Sequence, residues 1–397
     1  MGNNIKIVIG ANYGDEGKGL VSYFFTQNSP HPCNILYNGG AQRGHTAGDY
    51  VFHTLGAGTF AKEPQNVPTI YMSSFFVDPV AIGNENYNLS NSKNKMIQLP
   101  FLHENNRVVL PYDIIINKAI ERQRKKTNTQ HGSCGMGIWE SFLRNQKIPI
   151  LVKDFENLNQ LYYKIKNTIP YYENRVESLE LLDKSIIKLI RNFSLESFFT
   201  AVVDIYSKDI VVGGNRENSL LNNYNIDSFI FEAGQGLLLD ENNLDNYPNL
   251  TPSSTGSNYL YNLINNTPTD ISIEVCYVTR SYMTRHGAGF LPYEKNKVEL
   301  KKEIFDNTNQ PNEFQGELRY GLIDTKKLID RINKDFSKYK RKVTKSIAVT
   351  HLNYSDGKIF GVKDNKIKME DIEIFKKDFD NIYGSYKKDS LQLLWRK

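Results

Sequence analysis

The sequence predicts an α/β protein with a large, mostly parallel central sheet flanked by helices and a P-loop-like nucleotide-binding core. Three observations carry this. Ile5-Lys6-Ile7-Val8-Ile9 is a short, β-branched apolar run that passes through a glycine-rich loop, Gly10 to Gly19, into the helical stretch Leu20-Val21-Ser22-Tyr23-Phe24-Phe25. A second strand, Asn34-Ile35-Leu36-Tyr37, also ends in glycines, Asn38-Gly39-Gly40. Strand-like runs then return at Ser228–Phe231, Ile271–Val278 and Ser346–Thr350, separated by helical stretches.

The remaining elements follow in order. Residues 84–97 are polar and read as a surface loop, and residues 113–126 read as a helix. Residues 154–208 read as mainly helical, with Leu179, Leu182, Ile186 and Ile190 at helical spacing. The last stretch, 365–397, mixes Lys, Asp and apolar residues and reads as a helix followed by a short tail. No internal repeat or linker divides the chain, so 1–397 is expected to be one domain with the helical segment 154–208 as an insertion.

Composition narrows the function. The 397 residues are 40% hydrophobic and 23% charged, enough to build a core. Mean hydropathy is −0.49, and no apolar run approaches the roughly 18–20 residues of a membrane span. No signal peptide is expected ahead of the first strand. The three cysteines, Cys33, Cys134 and Cys276, lack metal-ligand spacing, which points to a reducing, cytoplasmic setting. The net charge of +5 suits phosphorylated small molecules, and the basic pairs are too dispersed for a nucleic-acid stripe. Neither a nucleic-acid nor a membrane partner is expected.

Gly14-Asp15-Glu16-Gly17-Lys18-Gly19 is the strongest motif. Glycines free backbone N–H groups to close around phosphate, the following helix adds its dipole, and Lys18 adds a charge. Asn12 stands where a standard P-loop needs glycine, and an acid inside a phosphate loop suits Mg²⁺ or a proton. A second glycine-rich loop, Gly39-Gly40-Ala41-Gln42-Arg43-Gly44-His45-Thr46, offers a histidine able to act as an acid or to meet phosphate.

These two loops resemble those of the adenylosuccinate synthetase family, GDEGKG and GGxNxGHT. Phe231-Glu232-Ala233-Gly234-Gln235-Gly236-Leu237-Leu238-Leu239-Asp240 is similar to the family's FEGAQGxLLD, and Tyr247-Pro248-Asn249-Leu250-Thr251-Pro252-Ser253-Ser254 to its YPxVTSS. Ser281-Tyr282-Met283-Thr284-Arg285-His286-Gly287-Ala288-Gly289-Phe290-Leu291-Pro292 is similar to AYxTRVGxGPFP. Asn312-Glu313-Phe314 and Gly321-Leu322-Ile323-Asp324 flank the next family loop, and the resemblance runs from residue 5 to about residue 357.

The resemblance implies a ligase that phosphorylates the 6-oxo group of a purine nucleotide with an NTP and then displaces that phosphate with L-aspartate. By the same analogy Asp15 is the base and a Mg²⁺ ligand together with the Gly44 carbonyl, His45 is a cationic acid, and Lys18 holds the transferring phosphoryl group. Gly14, Glu16, Gly17, Gly19, Gly44 and Thr46 form the phosphate loops. Asn38, Gln42, Ser133, Gln235 and Thr251 meet the purine nucleotide, and Arg144 reaches the nucleotide of the partner in a homodimer. His351, Asn353 and Gly384 frame the NTP base. Arg319 and Gln315 hold the aspartate.

Three stretches depart from the family pattern. Thr350-His351-Leu352-Asn353 stands for TKxD, and the amide of Asn353 can pair with adenine where an Asp pairs with guanine, so ATP becomes a donor in place of GTP. Gln315-Gly316-Glu317-Leu318-Arg319-Tyr320 keeps one arginine of TTGRxRR. Gln130-His131-Gly132-Ser133-Cys134-Gly135-Met136-Gly137 replaces TTGRGIG; Cys134 is not read as a nucleophile, since nothing near it argues for a lowered pKa. These departures resemble the phage branch, the 2-aminoadenylosuccinate synthetases that use dGMP, although many of those carry Ser where Asp15 stands. The expected reaction leans to dGMP, aspartate and ATP in a bacterium or a phage-infected cell. The alternatives are an IMP-using adenylosuccinate synthetase and a non-catalytic nucleotide-binding regulator.

Overall fold

The computed structural model describes residues 4–63, 66–94, 96–129, 131–213, 224–306, 309, 313–387 and 389–397. Gln130 and Asn312, each the first residue of a motif stretch, lie outside the described residues. Eight strands build the central sheet: β1 (Asn4–Gly10), β2 (Pro32–Leu36), β3 (Thr69–Tyr71), β4 (Ser228–Gly236), β5 (Ser272–Arg280), β6 (Thr344–Thr350), β7 (Asn381–Lys387) and β8 (Ser390–Arg396). Their order is β8-β7-β6-β5-β1-β4-β2-β3. All neighbours pair in parallel except β7 with β8, which is antiparallel.

This order places the site. The chain leaves β1 for β2 and β3 on one side, then lays β5, β6 and β7 on the other. Loops leaving the carboxyl ends of neighbouring parallel strands diverge at such a reversal and leave a crevice between them. The helix after β1, α1 (Lys18–Gln27), packs Val21 and Phe25 on Val8, Ile230, Val278 and Ala348. The opposite face of β1 buries Ile5, Ile7 and Ile9 beside Phe231, Val275, Tyr277 and Ile347. A sheet covered on both faces accounts for the near-continuous apolar runs in its strands.

A second core lies under the helices α2 (Pro79–Lys93), α3 (Pro111–Lys126), α5 (Leu158–Lys166), α6 (Ile169–Ser178), α7 (Ser185–Asn192) and α8 (Glu196–Ser207), while α4 (Ile138–Asn145) packs Ile138 on Phe76 and Val109. This second core gathers Ile82, Ile116, Ile120, Leu161, Ile165, Tyr172, Ile186, Ile190, Phe198 and Val202. The helical reading of 154–208 agrees with α5–α8, but its periodic apolar set does not share one face. Leu179 and Leu182 fall between α6 and α7, and Leu182 is 75% exposed.

Two further expectations are corrected. Residues 84–97 are not a loop, because α2 covers most of them. Asp78 caps that helix by accepting from Val80 and Ala81 N–H, Pro79 opens it, and Ile82, Glu85 and Leu89 bury one side. The segment 365–397 is not a helix with a tail. It forms the strand Lys366–Asp371, a 3₁₀ turn at Ile372–Lys377, and then β7 and β8 of the main sheet. No helix among the described residues is long and apolar enough to cross a membrane.

Candidate active site

The loop after β1 folds around a buried carboxylate. Glu16 Oε1 accepts from the N–H groups of Asn12 (3.0 Å) and Gly14 (2.8 Å), and Oε2 pairs with Lys18 Nζ at 2.7 Å. Burial would raise the carboxyl pKa, but the Lys18 charge and these bonds hold it below the ordinary value. The fold needs glycine here: a Cβ on Gly236 would sit 2.3 Å from the Asn12 carbonyl and 2.5 Å from Glu16 Oε1. Glu16 therefore belongs to the expected phosphate loop as its pin, with both carboxylate oxygens engaged inside the loop. Lys18 is buried against it and keeps two further ammonium donors.

Asp15 adopts the left-handed region, φ 58°, an uncommon conformation for a residue other than glycine. Arg280 Nε holds it there through the Asp15 carbonyl, while Arg280 Nη2 pairs with Asp306 at 2.9 Å. The Asp15 side chain keeps 23% exposure and stands 3.7 Å from His286 Nε2. Gly17, φ 89°, then starts α1 with no side-chain cap, so the first N–H groups of that helix are left to a ligand.

His45 begins a short strand, His45–Ala47, paired with Tyr50–Phe52. Its Nδ1 bonds to Glu232 Oε1, which also receives Arg43 Nη2, and Ala57 N–H reaches Glu232 Oε2 at 3.0 Å. Glu232 is wholly buried in β4. Burial opposes its ionisation, yet the Arg43 charge and the His45 bond bring its pKa down to about 2. For His45, burial and then the Arg43 charge outweigh the pull of Glu232 and lower the imidazole pKa to about 3. This favours the neutral ring in the ligand-free protein. With Nδ1–H donated to Glu232, Nε2 is left as a buried acceptor without a partner.

Gln42 lies beside Gly39 and Gly40 with both amide atoms buried and unpartnered. Gln235 Oε1 approaches Gly14. Asn38 is already committed, donating to the Ser254 carbonyl (2.7 Å) and accepting from Gly234 N–H (2.7 Å). Thr251 is held through Leu239, and Ser133 Oγ receives Asn117 Nδ2 at 3.1 Å. Thr46 lies on the hairpin strand that packs against α1 at Gly19.

Asn249 Nδ2 laces the 131–133 loop through the His131 carbonyl at 3.0 Å, and Ala288 N–H bonds to the same carbonyl. Gly132, Gly287–Gly289, Gln315, Glu317 and Arg319 line a cleft of about 530 Å³. Arg319 is not free in it. Its Nε and Nη2 form a two-pronged pair with Glu294 at 2.9 and 2.6 Å, and Nη1 donates to the Gly287 and Gly289 carbonyls. Arg144 is also corrected. It is fully buried, pairing with Asp113 at 2.9 Å and donating to the Val108 and Ile148 carbonyls, and so cannot extend to a partner.

At the ends of β6 and β7, His351 takes φ 59°, its Nδ1 hydrogen-bonds with Thr350 Oγ1 at 2.8 Å, and its ring stacks on Tyr354. Burial and the neighbouring Arg280 push its pKa well below the usual value. Asn353 is exposed, and Gly384 pairs with Val349 across the sheet, so all three expected base-site residues meet at one corner. Burial raises the Cys134 thiol to about 11, away from the thiolate that a nucleophile needs.

Sequence reasoning passed over three residues that the structure places against the candidate site: Arg43 and Glu232 beside His45, and His286 beside Asp15. A Glu inside the apolar strand Phe229–Ala233, and a His where the family motif TRVG has Val, were the available signals. The donor set suits Mg²⁺, which takes one or two carboxylates completed by water and substrate phosphates. Asp15 and the Gly44 carbonyl could supply the protein part. Among the described residues no group of three or more His, Cys, Asp or Glu forms a metal cage.

The family profile described as adenylosuccinate synthetase matches residues 7–348. The adenylosuccinate synthetase of Buchnera aphidicola subsp. Schizaphis graminum is 26% identical over 302 residues, which cover 74% of this chain and 66% of that protein. That of Thermosipho africanus is 27% identical over 312 residues, 75% of this chain and 69% of the relative. The match thus spans about two thirds of the length of these curated relatives. Among solved structures, the fully ligated adenylosuccinate synthetase of Plasmodium falciparum superposes with a TM-score of 0.65 at 20% identity, covering 92% of this chain and 83% of the other. The succinoaminodeoxyadenylate synthetase of cyanophage S-2L, bound to dGMP and to dATP as an energy donor, gives 0.54 at 16% identity, covering 89% and 86%. Both likenesses establish the fold.

Proposed function

The chain belongs to the adenylosuccinate synthetase family, and from that premise we propose that it is a C–N bond-forming ligase acting on a purine nucleotide, L-aspartate and an NTP in the cytoplasm. The observation that carries the reading is the convergence, on loops at the ends of β1 and β2, of an accessible Asp15, the Lys18–Glu16 pair at an uncapped helix start, and the unpartnered Nε2 of His45. A binder with no chemistry to perform has no need of both a carboxylate base and an oriented imidazole.

In this reading Asp15 accepts the N1 proton of the purine, so O6 gains charge and attacks the γ-phosphoryl group of the NTP. The amine of aspartate then attacks C6. The C6–O6 bond breaks, and the electron pair leaves with O6 on inorganic phosphate. Glu232 fixes the His45 ring so that Nε2 meets the phosphoryl oxygens. The arriving polyanion raises the proton affinity of that imidazole, and the ring can then donate to the leaving phosphate. Mg²⁺, when bound, supplies countercharge to the phosphates. The amino acid enters the cleft beside Gly132, Gly287–Gly289 and Gln315, and Arg319 can take its carboxylate only after Glu294 lets go. Homodimerisation stays part of the proposal, with an arm other than Arg144.

The acceptor favoured here is dGMP and the donor ATP. Asn353 in place of an Asp supports the donor. The cyanophage relative, which binds dGMP, supports the acceptor. The second reading, IMP as acceptor, rests on Asp15 and on the curated relatives, which are named adenylosuccinate synthetases. A substrate matrix decides between them: IMP, GMP, dGMP and dIMP, each with aspartate, Mg²⁺ and either ATP or GTP, followed by mass spectrometry. A succinylated product from dGMP with ATP is expected. Product from IMP alone would select the second reading, and no product in any well would refute the ligase assignment.

A further inference from the structure

His286 has no part in the chemistry above, yet it stands against the proposed base. Its Nε2 lies 3.7 Å from Asp15 Oδ2 and 3.1 Å from Asn309 Oδ1. The orientation of Asn309 is fixed from behind. Its Nδ2 donates to Asp306 Oδ2 at 2.7 Å and its backbone N–H to Asp306 Oδ1 at 3.2 Å, while Asp306 is held by Arg280. Asn309 therefore presents its oxygen to the ring, and both neighbours of Nε2 are acceptors. In the neutral ring the hydrogen therefore sits on Nε2, which leaves the lone pair on Nδ1. That Nδ1 is buried and has no partner among the described residues, while the ring as a whole keeps 15% side-chain exposure.

We propose that His286 reads position 2 of the purine, accepting a hydrogen bond from an exocyclic 2-amino group. The inference rests on the proposed role of Asp15 at N1. Going round the purine ring from N1, one neighbour is C6 with its oxygen and the other is C2. An oxygen at C6 would set one lone pair against another at Nδ1, which is repulsive. A 2-amino group supplies the matching donor. In that case the Asp15 carboxylate would take the N1–H of a guanine base and His286 Nδ1 a hydrogen of its 2-amino group. Hypoxanthine carries only a C–H at position 2 and would leave the buried Nδ1 without a donor. A site built to accept a hydrogen bond rejects the analogue that lacks the donor, because its own buried group goes unpaired.

The test compares dGMP with dIMP on the full chain and on His286→Val, the residue that the family motif carries. Dissociation constants come from calorimetry, and kcat/KM is measured with ATP and aspartate. The wild type is expected to prefer dGMP. His286→Val should lower that preference by roughly ten- to hundred-fold, chiefly through weaker dGMP binding. His286→Gln, whose amide oxygen can accept the same bond, should recover part of it and guards against a merely unfolded variant. An unchanged dGMP-to-dIMP ratio in His286→Val, or a wild type that binds the two alike, would overturn the inference. Turnover separates the two ideas: a wild type that binds dGMP selectively but forms no product refutes the ligase reading, while the binding ratio still decides His286.

Discussion

The neutral state of His45 makes a prediction about stability that needs no substrate. The unfolded imidazole has a pKa near 6.5, whereas in the fold burial and then Arg43 bring it to about 3. Between these values the unfolded chain binds a proton that the folded chain does not. The fold therefore gains stability as pH rises and loses it as pH falls below about 6.5. At pH 5 the distance from the unfolded value is about 1.5 units, which at about 1.4 kcal/mol per unit is about 2 kcal/mol. Glu232 moves the same way, but its folded pKa of about 2 confines its contribution to pH below the ordinary carboxylate range. His131 and His351 also have lowered pKa values, and both are present in wild type and variant alike. Urea unfolding at pH 7 and at pH 5, without nucleotide or metal, should thus show wild type losing about 2 kcal/mol more than His45→Asn over this interval. Equal losses in the two proteins would refute the buried, neutral imidazole.

Further outcomes follow from other parts of the structure. Asp15→Ala should abolish turnover with the unfolding transition intact; near-normal rates by coupled assay would remove Asp15 as the base. Asn353→Asp should move donor preference from ATP toward GTP in initial-rate measurements, and no movement would mean that Asn353 does not meet the base. Asp113→Asn should cost about 3–5 kcal/mol in urea denaturation, because it strands the buried Arg144 guanidinium. Glu294→Ala should lower KM for aspartate by opening the Arg319 fork, whereas an unchanged KM would make that pair purely architectural.

The strand, loop and helix from Asn4 to Gln27 were legible because short apolar runs and glycine spacing are local signals. The site was legible where its residues sit in those loops, as Asp15, Lys18 and His45 do. Other parts were hidden for physical reasons. In α2 a polar, Asn-rich surface masks a buried side of Pro79, Ile82, Glu85 and Leu89, although Asp78-Pro79 was a readable start signal. β7 becomes a strand by pairing in parallel with the distant β6, Ser346 opposite Asn381, and β8 by folding back antiparallel on β7, neither of which a local pattern reveals. Arg144 and Arg319 looked like free cations because their partners, Asp113 and Glu294, lie 31 and 25 residues away. Arg43 and Glu232 are a charge pair 189 residues apart, which spacing cannot reveal.

The central claim is that O6 leaves the purine as part of inorganic phosphate. Nucleotide labelled with ¹⁸O at position 6 tests this most directly, with dGMP first and IMP beside it, incubated with ATP, Mg²⁺ and aspartate. The account predicts one ¹⁸O in the released phosphate for every succinylated nucleotide formed. Product formed with unlabelled phosphate, the ¹⁸O passing to water or staying on the nucleotide, would contradict it.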